Sequence, residues 1–178
     1  MKALRYLVLF ALIATVAPNA KAQFEKAEVW VSGMTCSMCQ MATQKSLKTI
    51  DYIGSIEPNL KTNSFILTFK KGKEVDLDVI KKKIKDAGFS VSRLITTFNF
   101  NNRTSVTNNF VFTYAGSTYR FVNVGDKVLH GEVNLLLLSS GFVSTSDYKR
   151  YSAQNFDPSY KTGMSGKARI LHVTLASN

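Results

Sequence analysis

The order of strand-like and helix-like patterns across residues 23–94 constrains the fold of this 178-residue chain more than any other feature. Apolar and polar side chains alternate over residues 27–33 (AEVWVSG), as they do in a strand with one buried face. Three more segments have the composition of strands, namely 53–60 (IGSIEPNL), 64–69 (SFILTF) and 89–94 (FSVSRL). Helical patterns fill the two longer gaps between them, so the sequence predicts an α+β domain with the order βαββαβ.

Both predicted helices have recognisable ends. The first is expected to begin after Thr35, a candidate N-cap residue, and the second at Asp76 or Asp78. Gly88 is expected to end the second helix, because glycine readily adopts the left-handed conformation. The apolar positions of the two helices are Cys39, Leu47 and Ile50 in the first and Ile80, Ile84 and Ala87 in the second.

The only two cysteines, Cys36 and Cys39, lie in the stretch GMTCSMC at the junction of the first strand and the first helix. Two thiols at this spacing could form a disulfide catalyst, part of a zinc site or a two-coordinate site for a soft metal. A structural zinc site needs four ligands and an iron–sulfur cluster about four thiolates. The two histidines, His130 and His172, lie in the other half of the chain. Two thiolates suit Cu(I), with mercuric ion as an alternative, and a helix N-terminus favours the thiolate form.

Residues 27–94 resemble the heavy-metal-associated domains of copper chaperones, copper-transporting ATPases and periplasmic mercury-binding proteins. The resemblance rests on GMTCxxC between a strand and a helix, and on Gly88-Phe89 before the last strand. It implies a ferredoxin-like βαββαβ fold with Cys36 and Cys39 as the metal ligands. It also implies that Met34 packs inward and that Phe89 lies beside the site as an aromatic shield.

Three residues depart from the pattern of this family. Thr43 stands where an apolar helix residue is usual, and Tyr52 where glycine is usual, so the first helix is expected to pack differently. Pro58 falls within the second strand, which the family fold places at a sheet edge. An edge strand tolerates proline, because its outward N–H positions need no partner.

Further sulfur and cationic side chains lie near the cysteines. Met38 and Met41 carry thioethers, which are ligands for Cu(I), but methionines on a helix usually serve as packing residues. Lys45 and Lys48 on the same helix are expected either to steer an acidic partner or simply to form a solvated stripe.

Residues 1–22 (MKALRYLVLFALIATVAPNAKA) have the layout of a cleaved signal peptide: a basic start, an apolar run and an A-x-A site. The apolar run is too short to span a bilayer, and no later segment is predicted to span one. The protein is therefore expected in the periplasm. Its net charge of +11 is compatible with nucleic-acid binding, but an exported chain seldom meets nucleic acid, so none is expected as a partner.

Composition and pattern change near residue 95, which predicts two domains, 23–94 and 95–178. No proline or glycine spacer separates them, so the halves are expected to pack closely. The second half is predicted to be β-rich, with a helix near 144–152 and strands at 98–102, 108–116, 117–124, 132–140 and 167–175. Five strands and a helix would suit a small, partly open OB-like barrel.

The second half carries no motif with assignable chemistry. His130, in a predicted loop, and His172, in a predicted strand, could form a second metal site with Met164, although lone histidines are mostly structural. We expect this half to bind a partner or to position the metal domain.

Together these features predict an exported Cu(I) chaperone or buffer rather than an enzyme, with a metal-donating or metal-accepting protein as its partner. A mercuric-ion-binding protein is one alternative. A thiol–disulfide oxidoreductase is another, but the cysteines are not preceded by the tryptophan typical of thioredoxin-like proteins. An inert disulfide would close only a tiny loop and stabilise little.

Overall fold

A computed structural model describes residues 23–154 and 157–176. The predicted signal peptide, 1–22, lies outside the described residues. The first half has the predicted order βαββαβ: β1 Gln23–Ser32, α1 Ser37–Leu47, β2 Ile53–Asn59, β3 Ser64–Phe69, α2 Leu77–Asp86 and β4 Ser90–Val106. The ferredoxin-like fold class of the N-terminal half is thereby confirmed.

The second half is β-rich, as predicted. Its elements are β5 Val111–Tyr114, β6 Ser117–Phe121, β7 Lys127–Leu137, α3 Thr145–Gln154, α4 Pro158–Thr162, β8 Met164–Ser165 and β9 Ala168–Leu175. The short helix α4 was not predicted. His130, predicted in a loop, lies inside β7.

The strands of both halves form one sheet with the order β2-β3-β1-β4-β7-β9-β6-β5, and β8 pairs with β9. Neighbouring strands are antiparallel, except that β6 and β9 are parallel. The sheet is open, with β2 and β5 as its edges, and the strands of the second half extend the sheet of the first half instead of forming the separate, partly open OB-like barrel that was suggested. Strand β4 pairs with β1 of the first half and with β7 of the second half, which joins the strands of both halves in this sheet.

The 17-residue strand β4 joins the two halves. Along 90–99 it pairs with β1, and along 95–106 it pairs with β7, so the predicted boundary between residues 94 and 95 falls inside a strand that serves both halves. The segment lacks both proline and glycine, so it continues as one strand although its register with β7 shifts between Phe100 and Thr104.

An aromatic cluster continues the hydrophobic core across this junction. Phe24 of β1 contacts Phe98 of β4 edge-to-face, with ring centroids 4.9 Å apart, and contacts Tyr119 of β6 at 5.4 Å. Phe98 in turn contacts Phe112 of β5 at 4.9 Å. Aromatic pairs of this geometry stabilise a core beyond the burial of their area. The close packing expected for the two halves is therefore present.

The unusual residues of the first half have clear structural roles. Pro58 lies in the edge strand β2, as predicted. Thr43 is fully buried in α1, and its hydroxyl donates to the carbonyl of Cys39 at 3.0 Å, which satisfies a polar group that burial would otherwise penalise. Tyr52 is buried, and its hydroxyl donates to the Asp76 carbonyl at 2.5 Å, which ties the segment after α1 to the start of α2.

Within residues 23–154 and 157–176, the helices are too short or too polar to cross a lipid bilayer.

Candidate metal centre

The cysteine loop begins where β1 ends. Gly33 has a φ of +90°, a conformation that side chains disfavour, and it turns the chain away from the sheet. A Cβ at this position would lie 3.6 Å from Cδ1 of Phe89, so Phe89 borders the loop as the family resemblance implied. Met34 is only 4% exposed and packs inward, which agrees with its predicted role.

Cys36, and not Thr35, is the N-cap residue of α1. Its backbone is extended, and its sulfur accepts a hydrogen bond from the Cys39 N–H over 3.4 Å. The Thr35 prediction was wrong because a thiol replaces the usual hydroxyl as the capping acceptor. The cap therefore fixes the Cys36 sulfur over the first turn of the helix, where the helix dipole is positive.

The two sulfur atoms lie 2.6 Å apart, and neither cysteine forms a disulfide. Cys36 is exposed and Cys39 is half-buried. Cys39 packs against the hydrophobic core and is held in the first turn of α1. One sulfur is thus anchored to the fold, while the other faces solvent.

The two thiols have different acidities. The pKa of Cys36 is lowered, because its sulfur accepts hydrogen bonds first from the Cys39 side chain and then from the Cys39 backbone. The pKa of Cys39 is raised, mainly because its thiol donates to Cys36, with burial as a further cause. The first proton to leave the pair therefore comes from the exposed Cys36. The second is lost from Cys39 with more difficulty, since a neighbouring thiolate opposes it.

Comparison with known proteins shows which family the region around the two cysteines belongs to. Residues 28–90 match the family described as "Heavy-metal-associated domain". A mercuric transport protein periplasmic component from Pseudomonas fluorescens is 30% identical over 82 residues, which are 46% of this chain and 88% of that protein. The chain belongs to the heavy-metal-associated domain family.

Other relatives match the same heavy-metal-associated domain. A probable copper-exporting P-type ATPase from Archaeoglobus fulgidus is 32% identical over 63 residues, which are 35% of this chain. The match spans only 8% of that ATPase. The solved structure of a CopZ metallochaperone is 29% identical, covers 37% of this chain and 97% of its own, and has a TM-score of 0.34.

Two methionines project from the heavy-metal-associated domain next to the cysteines. Met38 is 71% exposed and Met41 is 61% exposed. Together with Lys45 and Lys48 they line a shallow depression of about 400 Å³ on α1. They are therefore not core residues, although their spacing on a helix is compatible with packing.

The histidines lie apart from the domain's cysteine loop and from each other. His172 is fully buried in β9, where its Nε2 is 3.3 Å from the Ser159 hydroxyl and its backbone N–H donates to the Ser139 hydroxyl. Its carbonyl accepts from the N–H of Leu138, the residue after β7, so the exposed His130, eight residues earlier in β7, lies about 26 Å away along the strand. The hypothesis of a joint His130–His172 site is therefore wrong.

One neighbour of Phe89 was not predicted. A turn containing Ser140 and Gly141, from the second half of the chain, lines a groove together with Phe89. This contact could not be predicted from the sequence, because Ser-Ser-Gly is typical of many turns and no local pattern links it to a motif so far away.

Proposed function

We propose that this protein is an exported chaperone or buffer for a soft metal ion, which it holds between the thiolates of Cys36 and Cys39. The observation that carries the proposal is the convergence of two free thiols at the start of α1, one anchored and one exposed. Soft sulfur ligands select Cu(I) over harder metals. Among residues 23–154 and 157–176, no three His, Cys, Asp or Glu side chains form a group that could hold a metal ion.

The chain's own residues explain how such a site would load and unload. The metal is cargo here, and its binding requires both thiols to lose their protons. The sulfurs, now 2.6 Å apart, must separate to admit an ion, and the exposed Cys36 can move by giving up its hydrogen bond from the Cys39 N–H, whereas Cys39 packs against the core. Gly33 and Met34 hold the base of the loop while this happens. An incoming thiolate can then attack from solvent before either original bond breaks, so exchange is fast.

Mercuric ion is the second candidate cargo. The observation in its favour is the similarity to the mercuric transport component of Pseudomonas fluorescens, which extends over 88% of that protein. Copper is supported by the name of the Archaeoglobus fulgidus relative and by the ligand chemistry. A two-thiolate site binds both ions. We favour Cu(I) because of the ligand chemistry, and the titration below distinguishes the two.

The proposed setting follows from the same similarities. Residues 1–22 act as a cleaved export signal, and the mature protein works in the periplasm, as the name of the Pseudomonas fluorescens relative says of that protein. Residues 23–94 form the metal-binding domain and 95–178 form a second domain that shares its sheet. Its partner is a protein that donates or accepts metal, and transfer by ligand exchange requires no enzymatic reaction.

Anaerobic metal titration tests the proposal. The reduced protein is titrated with Cu(I) in competition with a calibrated chelator, and separately with Hg(II). We expect one ion per chain, and we expect Cys36→Ser and Cys39→Ser each to abolish tight binding while leaving the circular dichroism spectrum unchanged. Ser37→Ala, one residue from Cys36, is the matched control and should bind as the parent does.

Two results would contradict the proposal. Full affinity in either cysteine variant would move the site to other ligands, such as Met38 or Met41. Rapid oxidation of thiol substrates by the disulfide form, without metal binding by the reduced form, would instead favour a thiol–disulfide oxidoreductase.

A further inference from the structure

A groove of about 420 Å³ lies between α2 and the second half of the chain. We call it the lysine groove. The side chains of α2 contribute its cations, the start of β4 contributes apolar surface, and the turn after β7 closes the opposite side. Its lining residues are Lys81, Lys82, Lys85, Phe89, Ser90, Val91, Ser140 and Gly141.

Specific contacts hold the two walls of the lysine groove together. The ammonium group of Lys81 lies 4.5 Å from the centre of the Phe142 ring, within the range of a cation–π interaction. Gly141 has a φ of +80°, and a Cβ there would come within 2.9 Å of the Lys81 side chain. Arg169 of β9 donates to Asp78 of α2 at 2.7 Å. The groove is therefore a joint product of both halves and would not exist in residues 28–90 alone.

Phe89 connects the lysine groove to the cysteine loop. Phe89 lines the groove, and the same ring lies 3.6 Å from the position of a Cβ on Gly33. A segment bound in the groove would thus place the rest of its protein next to Cys36. Cys36 is the exposed member of the thiol pair, which is the side from which a metal-exchanging ligand must approach.

The charge of the lysine groove restricts what it can bind. Within the described part of the chain, its lining has three lysines and no acidic residue. Lys81 pairs with Asp78 and Lys82 with Asp86, but both carboxylates lie outside the lining, and Lys85 is exposed. Phe89 and Val91 add apolar surface between the cations. A complementary ligand therefore carries several carboxylates around an apolar side chain.

We propose that the lysine groove docks an acidic segment of the protein that exchanges metal with this chain. Carboxylates of the segment pair with Lys82 and Lys85, and an apolar side chain packs against Phe89. The partner's role rests on the function proposed above, whereas the docking itself needs no metal. The second half of the chain then has a definite task, since its turn at Ser140 and Gly141 completes the docking surface.

The first experiment measures docking on the metal-free, full-length protein. The probe is a fluorescein-labelled peptide of four glutamates around one phenylalanine, and binding is followed by fluorescence anisotropy. We expect Lys82→Glu/Lys85→Glu to weaken binding about tenfold, because two attractive ion pairs become repulsive. The matched control is Lys127→Glu/Lys149→Glu, which makes the same change of charge on exposed lysines of β7 and α3.

A second comparison tests the contribution of the turn. Ser140→Glu places a negative charge on the groove wall that comes from the second half, and we expect it to weaken binding of the same peptide several-fold. Ser146→Glu, on exposed α3, is its control. Replacing the phenylalanine of the peptide by alanine should also weaken binding, because the contact with Phe89 is lost.

The outcomes separate this proposal from its rivals. Equal losses in the groove variants and their controls would mean general attraction to a basic protein, and would overturn it. So would amide shifts of the ¹⁵N-labelled protein that centre on Lys45 and Lys48 rather than on Phe89 and Gly141. Cys36→Ser should still bind the peptide, because docking needs no metal. Failure of the metal titration would therefore leave the docking proposal standing, and failure of peptide binding would leave the metal-binding proposal standing.

Discussion

Acidification should destabilise this fold through His172. Burial, with Arg120 and Arg169 nearby as further causes, lowers the pKa of His172 from 6.5 to about 4. Its ring lies against Tyr160, with centroids 4.8 Å apart, and its Nδ1 has no hydrogen-bond partner among the residues that the structure describes. Both features favour the neutral imidazole, so the native state resists protonation that the unfolded chain accepts.

The sign and size of the effect follow from this difference in pKa. Below pH 6.5 the imidazole of the unfolded chain becomes protonated, whereas that of the folded chain stays neutral down to about pH 4. The free energy of unfolding therefore decreases as the pH falls through this range, and the loss is complete only below about pH 4. With these two pKa values, lowering the pH from 8 to 5 raises the unfolding equilibrium constant about thirtyfold. The free energy of unfolding therefore falls by about 2 kcal/mol.

Urea denaturation at pH 8 and pH 5 measures this loss. His172→Gln should lose about 2 kcal/mol less between the two pH values than the parent does, whatever its stability at pH 8. His130→Gln is the control for removing a histidine, and carboxylates contribute equally to all three proteins. If the parent and His172→Gln show the same dependence on pH, the imidazole is not held neutral by burial and the reasoning fails.

Three further predictions concern the junction between the halves. Phe98→Ala should reduce the free energy of unfolding by about 3–5 kcal/mol in urea titrations, because it leaves a cavity in the shared aromatic core; a loss under 1 kcal/mol would show that the core collapses around it. A fragment of residues 23–94 should melt at a lower temperature than one of residues 23–99, since β1 pairs with β4 as far as Asn99; equal melting temperatures would make the extra pairing irrelevant. Asp78→Ala should cost about 1–2 kcal/mol by removing the acceptor of Arg169, whereas Asp126→Ala, a loop control, should cost little.

The cysteine site was predictable because its information is local. Gly33, the two cysteines and the start of α1 lie within a few residues of one another, so spacing and helix physics specify the geometry. The choice of Cys36 as the N-cap was missed, since sequence rules assign that position to hydroxyl and amide side chains.

Contacts between distant segments were not predictable. The turn at Gly141 meets Lys81 only because β7 follows β4 in the sheet, and this order of strands is a property of the whole chain. The burial of His172 depends likewise on α4, a five-residue helix too short to leave a periodic pattern. The change of composition near residue 95 was real, but strand β4 runs straight through it because no residue there breaks a strand.

Strand β4 also determines how precisely the cysteine loop is positioned. A shift of one residue in a strand turns each side chain to the opposite face of the sheet. Because β4 pairs with β1 on one side and β7 on the other, such a slip would have to break both ladders at once. It would also expel Phe98 from the aromatic cluster. The alignment of β1, and with it the starting point of the cysteine loop, is therefore enforced by hydrogen bonds and ring contacts that lie in the far half of the molecule.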